Sequence, residues 1–411
     1  MTKSFWLVFY SMLILMMSTN IPSPLYQLYQ MRYGFSPLVL TLIFATYAVV
    51  LIPSLALFGK ASDRYGRKKL IAAGSVTSIM ASVLFACSSG IWMLFVARAL
   101  QGIAVGMLSG AGSAALMELN PYPNKQSAAL AASIATAGGT AIGPLIGGAA
   151  AQYASYADVS PYVVHWLLVL PCLLGIIGLR ETVQVQTQNH SQQSQVSRES
   201  QRLTGEVRRS FTSAALTAMT AWAVTALFMS VIPSYIASLL GIRNLAFAGG
   251  VVFLMLGASV LTQLLSRNVG TSTSMLAGLL TLCLGLTLIV VAVPLSSAMS
   301  LLIGTATAGI GQGLSFKGSM QLVNAIAPPE HKAKIISSLY ICVYIGVGIP
   351  IIGVGLLSAH YGLFRAIVGF TLAVGMISLI LAGRLAMNRR EENAYGVQCK
   401  CGRDRRHSRR A

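Results

Sequence analysis

The sequence predicts an all-α membrane protein with twelve transmembrane helices, arranged as two six-helix bundles related by a parallel repeat. Three observations lead there. Only 9% of the 411 residues are charged and 55% are hydrophobic, with a mean hydropathy of +0.71, whereas a soluble domain carries about 25% charged residues. So little charge cannot cover the surface of a water-soluble fold of this length. Apolar runs of about twenty residues, the length that spans a bilayer core, recur along the chain. The lysines and arginines fall almost wholly in alternate breaks between those runs.

The first run, 5–28, follows Lys3. It is too long for a signal-peptide core and has no small-residue cleavage site, so it reads as a retained first helix. Its end, "TNIPSPLYQLYQ" (19–30), carries Pro22 and Pro24, which break a helix and free carbonyls. Asn20, Tyr26 and Gln27 are candidates to face a cavity there. For Tyr26 and Tyr29 the other reading is an interfacial aromatic belt. Runs at 38–59, 70–88, 91–117, 127–153 and 161–180 complete a first set of six. The polar break at 181–210, with "QVQTQNHSQQSQVSRESQR", reads as a flexible linker. Six more runs follow at 212–238, 246–265, 273–293, 299–324, 335–358 and 364–385. The expected division is a six-helix bundle over 1–180, a cytoplasmic linker over 181–210, a second bundle over 211–385 and a basic cytoplasmic tail over 386–411.

With the N-terminus in the cytoplasm, 24 of the 29 lysines and arginines lie on the cytoplasmic side and three, Arg32, Arg243 and Arg365, lie outside. That asymmetry supports both the helix number and a multi-pass protein of the cell membrane with both termini cytoplasmic. The net charge of +19 would suit nucleic acid, but here the cations form short clusters between apolar runs, where anionic lipid head groups attract them. The halves also repeat. "ARALQGIAVG" (97–106) aligns with "AGIGQGLSFK" (308–317) through Gln101-Gly102 and Gln312-Gly313, and "GPLIGG" (143–148) aligns with "IPIIGVG" (349–355). A parallel repeat of six helices is a transporter architecture, with a small-molecule substrate held between the halves near the midplane.

Three stretches carry a resemblance. "GKASDRYGRKKL" (59–70) packs five cations and one carboxylate between the second and third runs; "RALQG" begins at Arg98; and "GGTAIGPLIGG" (138–148) lies on the fifth run. Together they resemble the major facilitator superfamily, in particular its twelve-helix drug/proton antiporter branch, and in topology the resemblance covers the whole chain. It implies a secondary active transporter that exports a small organic compound or drug by alternating access, with protons as the coupling ion. In that family the aspartate at the Asp63 position docks against the start of a helix in the other half. By the repeat this is the eleventh helix, beginning near Ile335, where the helix dipole favours a carboxylate. Arg67 then has Glu118 as its partner at the end of the fourth helix, and Gly59 and Gly66 allow a close turn and close helix approach. With Arg64, these residues form a latch on the cytoplasmic side. The other reading of the loop is a charge anchor alone. Arg98, a charge inside a membrane span, is a functional candidate by position, and the resemblance links it to proton coupling; the alternative is a structural cation bonded to carbonyls. Gly139, Gly143, Pro144, Gly147 and Gly148 match the antiporter signature, which implies a gasket or pivot closing the outer path at the interface between the halves; the other reading is ordinary small-residue packing within the bundle.

The chain departs from that pattern in one respect: none of its ten acids lies in the middle of a membrane run. The charges left at membrane depth are Arg98 and Lys317. Lys317 reads either as snorkelling to the cytoplasmic end or as a cavity-facing cation that couples transport or holds an anion, which predicts a neutral or anionic substrate. Trp222, Tyr340 and Tyr344 are further candidates for the pocket, and His165 is a packed polar residue or a proton carrier. Cys87, Cys172, Cys283 and Cys342 lie in apolar runs as small hydrophobes, and the Cys399/Cys401 pair stands in the basic tail. No metal, no cofactor and no enzymatic chemistry is expected, since zinc spacing, a phosphate loop and a Ser/His/Asp cluster are all missing at membrane depth. The expected partners are substrate, protons and the lipid bilayer, with the protein a monomer that binds no nucleic acid. The alternative functions are a facilitator or importer of a sugar or carboxylate, or a non-transporting membrane sensor.

Overall fold

The computed structural model describes residues 2–121, 125–179, 181, 205–327 and 332–407; within the helices, side chains such as those of Lys60, Asp63 and residues 388–407 lie outside the described residues. Fourteen helices are formed among the described residues. They are α1 (Thr2–Asn20), α2 (Tyr26–Tyr33), α3 (Pro37–Tyr65), α4 (Arg67–Ala86), α5 (Ile91–Glu118), α6 (Lys125–Tyr153) and α7 (Ser160–Gly178) in the first half. The second half has α8 (Gly205–Ser230), α9 (Ile232–Leu239), α10 (Leu245–Leu265), α11 (Thr271–Ala292), α12 (Ala298–Ile326), α13 (Lys332–Tyr361) and α14 (Leu363–His407). Each of the twelve apolar runs has its helix, and two runs are split: the first into α1 and α2, the seventh into α8 and α9. Among the described residues, ten helices are long and apolar enough to cross a membrane. Most of the expected linker, 182–204, lies outside the described residues, while α8 already begins at Gly205, within it.

Proline causes both splits. In an α-helix each N–H bonds the carbonyl four residues earlier, and proline has no N–H to give. Pro22 therefore leaves the Ser18 carbonyl without its helical donor. The Ser23 N–H turns to the Asn20 carbonyl at 3.1 Å, which releases Thr19 as well. In the second half Pro233 leaves the Met229 carbonyl free in the same way. The two breaks share the tripeptide Ile-Pro-Ser, at 21–23 and 232–234, a repeat signal additional to the Gln-Gly pair.

The halves are built alike. α5 lies on α3 with Gly102 against the Tyr47 carbonyl and Gly106 against Ser54. Correspondingly, α12 lies on α10 with Gly309 against the Met255 carbonyl and Gly313 against that of Ser259. Lipid tails are as apolar as leucine, so helices gain little by hiding apolar surface from lipid; small residues that let backbones approach supply the packing instead. The halves meet through α6 on α10 and α3 on α13.

The basic hairpin is tighter than a loop. α3 runs to Tyr65 and α4 begins at Arg67, so Gly66 alone turns the chain. Its φ of 99° and ψ of 150° lie in a region open essentially to glycine. The end of the molecule carrying this turn is called the basic end, and the opposite one the far end.

Candidate functional site

Between the halves lies a cavity of about 390 Å³. Its first-half wall includes Asn20, Phe44, Tyr47, Arg98, Thr136 and Thr140; Trp222, Thr225, Tyr340 and Tyr344 stand on the other side. A second space of about 310 Å³ shares Trp222, Tyr340 and Tyr344 with the first and continues to Gln263 and Phe316. Four sequence-derived candidates, Asn20, Trp222, Tyr340 and Tyr344, thus meet at one cavity. Trp222 packs edge-on to Phe316, with ring centroids 5.6 Å apart. Two candidates do not line it. Tyr26 is fully buried, its hydroxyl accepting from Arg98 Nε, so it supports the wall from behind. Gln27 lines a separate depression of about 600 Å³ at the far end, with Arg243 and Ser358.

Arg98, 1% exposed, is where the broken first helix becomes consequential. Its Nη1 donates to the Thr19 carbonyl and to Gln101 Oε1, both at 2.8 Å. Gln101 Nε2 donates in turn to the Ser18 carbonyl at 2.9 Å. The two carbonyls released around Pro22 are thus collected by the Arg98–Gln101 pair of α5. The guanidinium carbon also lies 5.1 Å from the ring centroid of Tyr26, 5.3 Å from Phe44 and 5.9 Å from Phe85, a range in which ring faces attract cations.

The glycine motif on α6 serves two interfaces rather than one. Gly139, Gly143 and Gly147 lie against the carbonyls of Leu13 and Met17 of α1 and of Ile21 just past its end, all in the same half. Pro144 and Gly148 face α10 across the halves: the Pro144 carbonyl rests on Gly249 and Gly148 on the Leu245 carbonyl. Helical spacing separates these roles, because residues four apart share a face while neighbours do not. The expectation of one interface between halves is corrected accordingly for Gly139, Gly143 and Gly147. Further braces join the halves at the far end. Ser23 Oγ donates to the Met229 carbonyl freed by Pro233. Gln152 Oε1 accepts from the Leu245 N–H at 2.8 Å, and Gly355 of α13 lies against Thr41 of α3.

At the basic end, Arg67 Nη2 lies 3.4 Å from Glu118 Oε1, and Arg67 Nη1 donates to Ser62 Oγ. Arg64 is exposed, with its guanidinium 5.5 Å over the Tyr65 ring, and Gly59 lies against Gly110 of α5. The docking of Asp63 near Ile335 falls on a side chain outside the described residues. Sequence reasoning missed Glu181. Its Oε1 accepts from the Arg67 N–H at 2.7 Å and from the Lys68 N–H at 3.4 Å, and its carboxylate lies over Gly66. It thus caps the start of α4, where the dipole favours an anion. Lys68 Nζ returns the contact to the Ile177 carbonyl at 2.8 Å, near the end of α7. A lone glutamate after a helix gave no sequence signal for this. Arg67→Ala and Glu118→Gln should each lower flux, and the double variant should be little worse than either, since partners in one pair do not add. Gly66→Ala should cost about 1–3 kcal/mol in strain, read as a lower unfolding temperature.

Lys317 does not line the cavity. Its ammonium reaches the Ser266 carbonyl and, at 3.3 Å, that of Val269, where α10 ends at the basic end. A long apolar stem lets the charge reach the negative end of a helix dipole, so the cavity-facing placement is corrected. His165 is buried between α4 hydroxyls, Nε2 3.3 Å from Ser78 Oγ and Nδ1 3.1 Å from Ser82 Oγ. Cys172 is buried, whereas Cys87 is exposed at the end of α4. Cys399 and Cys401 have side chains outside the described residues.

The chain matches the family model of the Major Facilitator Superfamily over residues 8–346 and 244–397. It is similar to the "Putative multidrug resistance protein MdtD" of Escherichia fergusonii, 25% identical over 178 residues, which is 43% of this chain and 36% of that protein. The protein of that name in Escherichia coli K12 matches at the same identity and coverage. The match thus spans only about a third of the length of these relatives. Among solved structures, a bacterial homolog of the human lysosomal transporter Spinster in an inward-facing, unoccupied conformation covers 94% of this chain and 98% of its own, at 14% identity and a TM-score of 0.71. A D-xylose-proton symporter covers 92% and 96%, at 13% identity and a TM-score of 0.73. These likenesses show a shared fold.

Proposed function

Because the chain belongs to the Major Facilitator Superfamily, a family of membrane transporters, we propose that it is a secondary active transporter exporting a small organic compound across the cell inner membrane by alternating access, with protons as the coupling ion. The observation that carries this reading is the closed seam of Pro144 and Gly148 on α10 at the far end, beside a cavity that continues past Trp222 and Tyr340 to Gln263 and Phe316. The asymmetry of lysines and arginines supports a cytoplasmic basic end; in this reading the cavity accepts its load from inside and the α6–α10 seam is the barrier to open. The partial likeness to proteins named for multidrug resistance supports export.

In this reading the units that rock against each other are residues 1–180 and 211–385, joined by the segment 181–210, in a monomer. The hairpin with Gly59, Asp63, Arg64, Gly66, Arg67 and Glu118 holds the basic end shut in the opposite state. Arg98 couples the cavity to α1, because it holds carbonyls that the helix itself has released. Lys317 contributes at the end of α10 instead, by anchoring the α10–α11 turn.

The test is flux of a labelled compound panel in proteoliposomes, with and without an imposed pH gradient. Export predicts at least one compound moved against its gradient, faster with the pH gradient and abolished by a protonophore. Downhill flux insensitive to pH in both directions would indicate a facilitator, and absence of flux across a broad panel a sensor.

A further inference from the structure

The charges along the path between the halves are of one sign among the described residues. The central cavity is lined by Arg98 and the far-end depression by Arg243, and among the described residues no aspartate or glutamate lines either of them or the space towards the basic end. The acids that are described lie elsewhere: Asp158 pairs with Arg32 at the far end, Glu118 is at Arg67 and Glu181 caps α4. Arg98 is held by neutral acceptors alone: a carbonyl, an amide oxygen and a hydroxyl. Its Nη2 is buried without a hydrogen-bond partner, as is Nε1 of Trp222 on the opposite wall. Both orphan atoms are donors. A buried cation with no counter-charge is costly in a low-dielectric site, and buried polar groups normally find partners. The rest of the wall is aromatic or carries hydroxyl and amide groups, with Phe44, Tyr47, Tyr340 and Tyr344 offering ring faces.

We infer that the transported compound is a small organic monoanion with a planar apolar body, its anionic head held at Arg98 and a further acceptor, or the same head, reached by Trp222 Nε1. This rests on the transporter reading and names the substrate class for its cavity. One negative charge compensates Arg98 at the central cavity, and acceptor oxygens meet donors that the described residues leave unanswered. A lipophilic cation would meet a like charge at Arg98 and find no carboxylate among the described residues of the lining.

Three probes of one shape decide between charges: tritiated 2-naphthoate, 2-naphthamide and 2-naphthylmethylammonium, bound at equilibrium to the full chain in nanodiscs. The anion should bind at least about tenfold tighter than the amide, a difference of about 1.4 kcal/mol, and the ammonium should bind weakest. Arg98→Gln should bring anion and amide to within about twofold of each other, while Arg98→Lys keeps the ranking because it keeps the charge. Trp222→Phe should weaken anion and amide alike, and Arg365→Gln, which removes a cation remote from the cavity, should leave the ranking intact. Ammonium binding as tight as the anion, an anion preference that survives in folded Arg98→Gln, or saturable binding of none of the probes would overturn the inference. If Arg98→Gln does not fold, the wild-type and Arg98→Lys rankings decide alone. The measurement involves no gradient and no direction, so a failure of export in vesicles and a failure of anion recognition show up separately.

Discussion

Leucine at Gly148 is expected to reduce transport by roughly 30- to 150-fold, the equivalent of 2–3 kcal/mol of overpacking, while the protein still inserts and purifies in folded form. A side chain at Gly148 meets the Leu245 carbonyl of α10, and neither backbone can move aside without opening the seam between the halves. The state closed at the far end is therefore the one destabilised, and uncoupled leakage should accompany the loss. Leucine at Gly143 makes an informative contrast. There the added atoms meet the Met17 carbonyl of α1 within one half, so the effect should fall on folding: lower yield and a lower unfolding temperature. Flux in proteoliposomes, set beside thermal unfolding of the same preparations, separates the two. Equal behaviour of the two variants would show that α6 does not divide its faces as described.

Alanine at Arg98 should abolish coupled flux and lower stability by several kcal/mol. Three groups lose their donor at once: the Thr19 carbonyl, the Tyr26 hydroxyl and Gln101 Oε1. Each buried group left unsatisfied costs about 1–3 kcal/mol. Lysine at this position should be intermediate, because an ammonium is a point donor and cannot reproduce the guanidinium fork. The helix break supplies a second handle. Pro22→Ala returns a helical donor to the Ser18 carbonyl held by Gln101 and lets the Ser23 N–H return to the Thr19 carbonyl held by Arg98, so part of the need for both side chains disappears. The cost of Arg98→Lys should therefore be smaller in the Pro22→Ala background, a coupling that a double-mutant cycle on unfolding temperature or flux would detect. Strict additivity would mean that Arg98 is held independently of the break.

The sequence was informative about this site to different depths. Pro22 and Pro24 announced freed carbonyls, and Arg98 announced a charge in need of partners, yet nothing in either stretch said that one answers the other. That match depends on the rotation of α5 about its axis relative to α1. Asn20, Trp222, Tyr340 and Tyr344 were legible as polar or aromatic residues within apolar runs, and they do share a cavity. Tyr26 and Gln27 looked equivalent to them and are not, because the chain between α1 and α2 turns Tyr26 into the first-half core and Gln27 towards the far end. Glu181 was invisible as a cap, since its partners at 67 and 68 are more than a hundred residues away.

While the splitting of two runs into the separate helices α1/α2 and α8/α9 was seen only in the structure, by itself the sequence determined the twelve apolar runs and their order, the basic hairpin and the internal repeat. These are one-dimensional quantities: the thickness of a hydrocarbon layer dictates run length, and lysines and arginines mark the breaks. Only the tertiary structure decided which face of each helix meets which neighbour: Gly143 on α1 but Gly148 on α10, Lys317 on the end of α10 rather than at the cavity, and Ser23 on the carbonyl that Pro233 frees. The physical reason lies in the solvent. In water a helix shows its buried face as an apolar stripe against a polar one. In lipid the outward face is as apolar as the inward one, so that stripe vanishes from the sequence, and orientation is chosen by close backbone approach and by the few polar groups that must find each other.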